Sequence, residues 1–245
     1  MTKSRFNFLA VGALLCGLTA GSTRTACAAD NAEEAPAYQP FTVGAEVATP
    51  GVGGSASWRF SDHFGARAGF NYWSDSQNGN EIEGNKYNTD LRLMSEPIAV
   101  DIYPWKQSSF RITVGIMLNQ NELTGTGVPT QGFQNAPAFF IINDQPYVAG
   151  SGGIGDLNLK AEQQPVSPYI SIGYSYYFDK AKHWSLSGEI GVAYTGSPDV
   201  ALSTSSGAES TDPILQGDLN AEAQQIKDNA WKFYPILRIG VNFSF

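Results

Sequence analysis

From Trp231 to Phe245 every odd position is apolar: Trp231, Phe233, Pro235, Leu237, Ile239, Val241, Phe243 and Phe245. The even positions include Lys232, Arg238, Gly240, Asn242 and Ser244. Successive side chains of a strand point to opposite faces, so this segment has one apolar face and one wet face. An apolar face that runs unbroken to an aromatic last residue is how the final strand of an outer-membrane β-barrel reads. In such a strand Val241, Phe243 and Phe245 are expected to form the C-terminal signal for the barrel-assembly machinery.

The opposite end of the sequence points to export. Lys3 and Arg5 precede an apolar stretch from Phe8 to Leu18, and small residues lead to Ala26-Cys27-Ala28-Ala29. That order predicts a secretory signal peptide over 1–29, cleaved after Ala28 or Ala29. A lipoprotein reading of Cys16 or Cys27 is weaker, because Leu15 precedes the first and Arg24 lies three before the second. Both cysteines fall in the removed segment, which excludes a disulfide framework and thiolate metal sites in the mature chain. Removal also takes Lys3, Arg5 and Arg24 from the 15 Lys+Arg and none of the 23 Asp+Glu, leaving a net charge of about −11. Nucleic acid is a poor partner for such a chain.

No mature stretch approaches the roughly 20 consecutive apolar residues of a membrane-spanning helix. Period-2 alternation instead predicts eight strands, within a barrel over 41–245 preceded by a periplasmic segment over 30–40. They run over 41–49, 52–60, 64–73, a segment ending at Tyr103, 110–119, 168–178, 184–196 and the C-terminal stretch. The outward faces read Phe41, Val43, Ala45 and Val47 in the first, and Phe110, Ile112, Val114, Ile116 and Leu118 in the fifth. In the fourth strand the alternation slips between Leu93 and Ile98, and Pro97 lacks a ladder donor, so a bulge or an end of pairing is expected there.

Loop lengths alternate as an all-antiparallel, eight-stranded transmembrane barrel requires. Connections 2–3, 4–5 and 6–7 are short, as periplasmic turns are, whereas 3–4, 5–6 and 7–8 run to about 13, 48 and 34 residues. Aromatics gather at the proposed rims: Trp58, Phe60, Tyr176, Phe178 and Trp184 at the periplasmic end, Tyr72, Tyr194, Trp231 and Phe233 at the outer end. Two interfacial girdles in contact with outer-membrane lipid and lipopolysaccharide are the expectation. Within the long connections, Ser74 to Lys86 reads as a polar loop. Phe139 to Val148 reads as a small hairpin, and Asp218 to Asn229 as a short helix.

The inward faces carry Glu46, Arg59, Arg67, Asp101, Arg111, Glu189 and Arg238. The lumen of an eight-stranded barrel is barely wider than the side chains filling it, so these charges must be paired or hydrated. Two roles stay open: an ion-pair plug that fixes strand register, or a narrow polar path that selects a small solute. Acidic external connections, with Asp75, Glu81, Asp144, Asp199 and Asp218 among them, would gather small cations. Catalytic patterns are lacking. The two histidines, His63 and His183, fall in separate periplasmic turns, and no metal-ligand spacing appears, so neither an enzyme nor a cofactor is expected. Gly150-Ser151-Gly152-Gly153-Ile154-Gly155 matches a dinucleotide-binding pattern by letter but lacks the flanking strand and helix, and is read as a loop.

Several segments resemble the CarO-type family of small outer-membrane barrels. Val43-Gly44-Ala45-Glu46 through Pro50-Gly51-Val52-Gly53, Ser57-Trp58-Arg59-Phe60 and Arg67-Ala68-Gly69-Phe70-Asn71-Tyr72 resemble its opening. Val100-Asp101-Ile102-Tyr103-Pro104, Ser167-Pro168-Tyr169-Ile170 and Gly196-Ser197-Pro198-Asp199-Val200 continue the likeness, with Phe233-Tyr234-Pro235 after the acidic helix. The resemblance implies an eight-stranded barrel with a role in uptake of ornithine and other basic amino acids. It carries over no catalytic or ligand residue, and connection 5–6 is its least matched part. The sequence thus predicts a narrow channel for small cationic solutes, with a non-conducting structural or adhesion barrel acting through its external loops as the alternative.

Overall fold

The computed structural model describes residues 38–82, 85–106, 108–131 and 136–245; the expected signal peptide lies outside them. Among the described residues the strands are β1 (Phe41–Ala48), β2 (Gly51–Arg59), β3 (Phe64–Ile82), β4 (Asn85–Ile102), β5 (Phe110–Asn119), β6 (Glu122–Val128), β7 (Phe139–Ile142), β8 (Gln145–Val148), β9 (Asn158–Glu162), β10 (Val166–Tyr177), β11 (Trp184–Tyr194), β12 (Asp199–Ser203) and β13 (Phe233–Ser244). One helix, α1 (Pro213–Asn229), precedes the last strand. Eight strands close an antiparallel ring in the order β1-β2-β3-β4-β5-β10-β11-β13, with β13 returning to β1. Closure satisfies every ladder position from within the protein, which a hydrocarbon surround demands.

Alternation sets which face meets lipid. Ile98, Ile170, Ile190, Leu237 and Ile239 are each about half exposed on the outer wall, as are the rim aromatics Trp58, Tyr176, Trp184, Trp231 and Phe233. Neighbouring rings pack along the rims, with Trp184 on Phe243 at 5.0 Å and Tyr194 on Phe233 at 5.4 Å. The short turns after β2, β4 and β10 mark the periplasmic end.

The outer half of the molecule differs from the expected loops. β3 and β4 hold 19 and 18 residues, against the about 9–11 that cross a tilted barrel, so both project well beyond the membrane. The segment read as a polar loop, Ser74 to Lys86, is mostly strand. β6 continues β5 in register: Ser95 faces Asn119, and nine residues further along each strand Lys86 faces Val128. β9 continues β10 in the same way, with Val166 opposite Leu118 and Glu162 opposite Glu122. The wall therefore rises on one side into an external sheet β3-β4-β6-β9-β12, while β1 and β2 stay short.

Pro97 neither bulges nor ends the strand. Ala68 faces Ile98 and Asn71 faces Ser95, one register on both sides of the proline, and the shift between β3 and β4 falls instead at Gln77 to Asn80. What changes near Pro97 is the surround. Odd positions of β4 point inward along its whole length. Below Pro97 lipid lies outside, and the outward Ile98 and Val100 are apolar. Above it water lies outside: Lys86, Asn88, Asp90 and Arg92 face out, and Tyr87 and Leu93 are buried inward. The slip in the pattern is the membrane boundary written into one strand.

Inward residues of the external sheet join a second core. Tyr87, Leu159 and Leu202 pack with Phe140 and Ile142 of the β7–β8 hairpin and with Leu215, Leu219, Ala223 and Ile226 of α1. Those helix positions recur every three or four residues and form one apolar stripe. α1 starts five residues earlier than the sequence suggested, because Asp212 accepts from the Ile214 amide as N-cap and Pro213 opens the first turn. The hairpin falls where expected and turns through Asn143 (φ 49°) and Asp144 (φ 62°), the left-handed pair of a tight hairpin turn. This lobe lies on the same side of β4 as the lumen, and so over the outer mouth of the barrel.

Candidate functional site

Six of the seven inward charges meet in one buried network. Arg67 of β3 donates through Nε and Nη2 to Asp101 of β4, at 3.1 and 2.7 Å, and through Nη1 to Glu189 of β11 at 3.0 Å. Glu189 also accepts from Arg111 at 3.1 Å, Arg238 at 3.3 Å and the Ser171 hydroxyl at 2.7 Å. Arg238 Nε lies 3.2 Å from Glu46, which accepts from Ser55, and Asp101 takes a 2.6 Å bond from Thr113. β3 and β11 are four places apart in a ring of eight, so the Arg67–Glu189 pair crosses the full diameter. Gly173 makes room for the arrangement: a Cβ there would stand 2.9 Å from Arg111 Cζ.

Toward the outer face an apolar layer follows, with Ala99, Met117, Tyr169, Ala193 and Ile236 buried across the lumen and Tyr234 packed against them. A polar layer comes next, in which Asn119 accepts from Ser95 and donates to Ser167. Sequence reading missed both layers, although counting the inward phase of each strand places Met117, Tyr169 and Ile236 there. On the periplasmic side the lumen keeps a cavity of about 50 Å³, whose lining includes serine hydroxyls, tyrosine rings and the charges Glu46, Arg59, Arg67 and Arg111.

Arg59 stands apart from the network at the periplasmic mouth. Its guanidinium lies between the rings of Tyr38 and Tyr103, 4.2 and 3.8 Å from their centroids, and donates to the carbonyls of Ser61, Asp62 and Ser108. Val241, Phe243 and Phe245 sit on the outward face of β13, where Phe243 stacks on Phe245. His63 bonds the Tyr103 carbonyl through Nδ1, and His183 lies beside Asp179, both in periplasmic turns. Among the described residues no three His, Cys, Asp or Glu side chains are grouped to hold a metal ion.

Many of the acidic groups read as a cation-gathering field are engaged inside the lobe. Asp156 accepts from the backbone and hydroxyl groups of Ser205 and Ser206, led by the Ser206 hydroxyl, and these bonds hold its carboxyl well below the usual carboxylate range. Asp218 accepts from Tyr147 and Asn143, and desolvation, followed by the bond to Asp218, pushes the Tyr147 phenol up to about 12. Glu222 accepts from the Asn143 amide, and Asp199 pairs with Lys227 at 3.3 Å. Glu83, a further acid of the 74–86 segment, lies outside the described residues.

No family model and no curated protein matches the chain. Solved structures do. The chain is similar to the crystal structure of Acinetobacter baumannii CarO, with 27% identity and a TM-score of 0.53 over 84% of this chain and 98% of that one. A. baumannii CarO2 gives 26% identity and a TM-score of 0.56 over 84% and 99%. The likeness to CarO-type barrels spans most of the chain, and the protein is an eight-stranded β-barrel of the bacterial outer membrane.

Proposed function

We propose that this protein is a non-conducting barrel whose work is done by the ordered lobe it holds above the outer membrane. The observation that carries this reading is the Arg67–Glu189 pair, which occupies the lumen from wall to wall at 3.0 Å. A solute would have to separate buried opposite charges and also pass the closely packed layer at Met117, Tyr169 and Ile236, where tyrosine phenols are the only side-chain polar groups. Lipid and lipopolysaccharide are the partners of the outward face and outer girdle, and the barrel-assembly machinery that of β13. A second reading, a narrow channel for small cationic solutes such as basic amino acids, is favoured by external acids that stay exposed, Glu81 and Asp144 among them. Single-channel recording of the refolded protein in planar bilayers separates the two. Background current alone, with and without ornithine, is the expected result; unitary steps that ornithine modulates would overturn it.

A further inference from the structure

We infer that the periplasmic half of the lumen is a binding site for one small monovalent anion of halide size. Every carboxylate of the central network is already shared among Arg67, Arg111 and Arg238, and three acids face three arginines there. Arg59 adds a further positive charge to the same cavity. Its recorded partners are carbonyls and the two tyrosine rings, and among the described residues no carboxylate stands within ion-pair distance of it. The cavity wall thus presents Arg59, Arg67 and Arg111 against the single carboxylate of Glu46.

Arg111 is only 3% exposed and turns Nη1 to Ser175 and Nη2 to Glu189, so it lends the cavity positive charge rather than a free donor. Ser57, Ser109 and Ser185 line the same cavity, and each hydroxyl is free to turn its hydrogen toward an anion. The size fits as well. About 50 Å³ holds roughly three to five waters, or one halide with a residual shell. Tyr38 and Tyr103, stacked on Arg59, close the floor.

The site lies apart from the external lobe and does not depend on whether the barrel conducts. The test is to refold the full chain in bromide, so that entry through a closed lumen is not required, and to crystallise it for anomalous diffraction at the bromine edge. One peak in the cavity among Arg59, Arg111 and the serine hydroxyls is expected. Bromide confined to the outer surface, an adventitious ion only, overturns the proposal. In solution, thermal unfolding in chloride should lie about 2–4 °C above that in gluconate at matched ionic strength. Arg59→Gln, outside the central network, should still fold and lose that increment. Equal unfolding temperatures of the parent protein in the two salts count against the site.

Discussion

Arg67 and Glu189 lie 122 residues apart in sequence and on opposite walls of the ring, yet their charged atoms meet at 3.0 Å. Glu189 is the shared acceptor of three arginines, and its side chain is fully buried. Replacing it by glutamine keeps the shape and leaves three buried cations short of a counter-charge. We expect Glu189→Gln to destabilise the barrel by about 3–5 kcal/mol, measured by urea unfolding in detergent and by loss of the heat-resistant band on electrophoresis.

Gly173 and Gly188 are neighbouring test positions with opposite expectations. A methyl group at 173 would press on the Arg111 guanidinium, whereas nothing lies within 4 Å of a Cβ at 188. Gly173→Ala should therefore cost about 1–3 kcal/mol. Gly188→Ala should stay within about 0.5 kcal/mol of the parent. Equal effects in the same unfolding assay would remove Arg111 packing as the reason for glycine at 173.

The ring itself was legible because lipid imposes one rule on all eight strands, and Phe41 to Val47, Phe110 to Leu118 and Trp231 to Phe245 obey it without exception. The external sheet was not, because the rule reverses where the surround does. Tyr87, Leu91 and Leu93 of β4 are apolar on the inward side, so a reader following outward apolar residues loses the strand near Pro97 and sees a loop. The helix and the hairpin survived as local signals, caps and turns. The network lay between these cases. The inward phase named its six members, but that Arg67 should reach Glu189 rather than a neighbour follows from ring closure, which no single strand encodes.

The lobe has a core of its own, so its stability should separate from that of the barrel. Leu219 is fully buried between α1 and the external sheet. Leu219→Ala should cost the lobe about 2–5 kcal/mol. Limited trypsin digestion should then cut near Lys227, while the membrane-embedded strands keep their heat-resistant mobility. Simultaneous loss of both would show one cooperative unit instead.

Asp156 ties the Ser205–Ser206 turn to the lobe, and its carboxyl is held low by those bonds. A depressed carboxylate contributes stability that is present above its unfolded value, near 4, and is lost only as pH falls through the lower folded value. Exchange protection of the Ser205 and Ser206 amides should stay constant from pH 7 to about 4 and decline in stronger acid. Asp156→Asn should weaken it at every pH. A decline already between pH 6 and 5 would contradict the assignment.

Phe245 lies on the outward face of β13, stacked on Phe41 and Phe243 at 6.0 and 6.2 Å. If Val241, Phe243 and Phe245 act as the assembly signal, Phe245→Ala should lower the amount of folded barrel in cells several-fold. Its unfolding after refolding in detergent should shift by less than about 1.5 kcal/mol. A loss of equal size in both settings would assign Phe245 to stability alone.

The tall wall over β3, β4, β6, β9 and β12, set against the low hairpin of β1 and β2, gives the molecule a compass bearing within the plane of the membrane. Seen from the cell exterior it is an armchair rather than a cup. Whatever approaches across the outer membrane surface meets a high back from one direction and the low β1–β2 rim from the other.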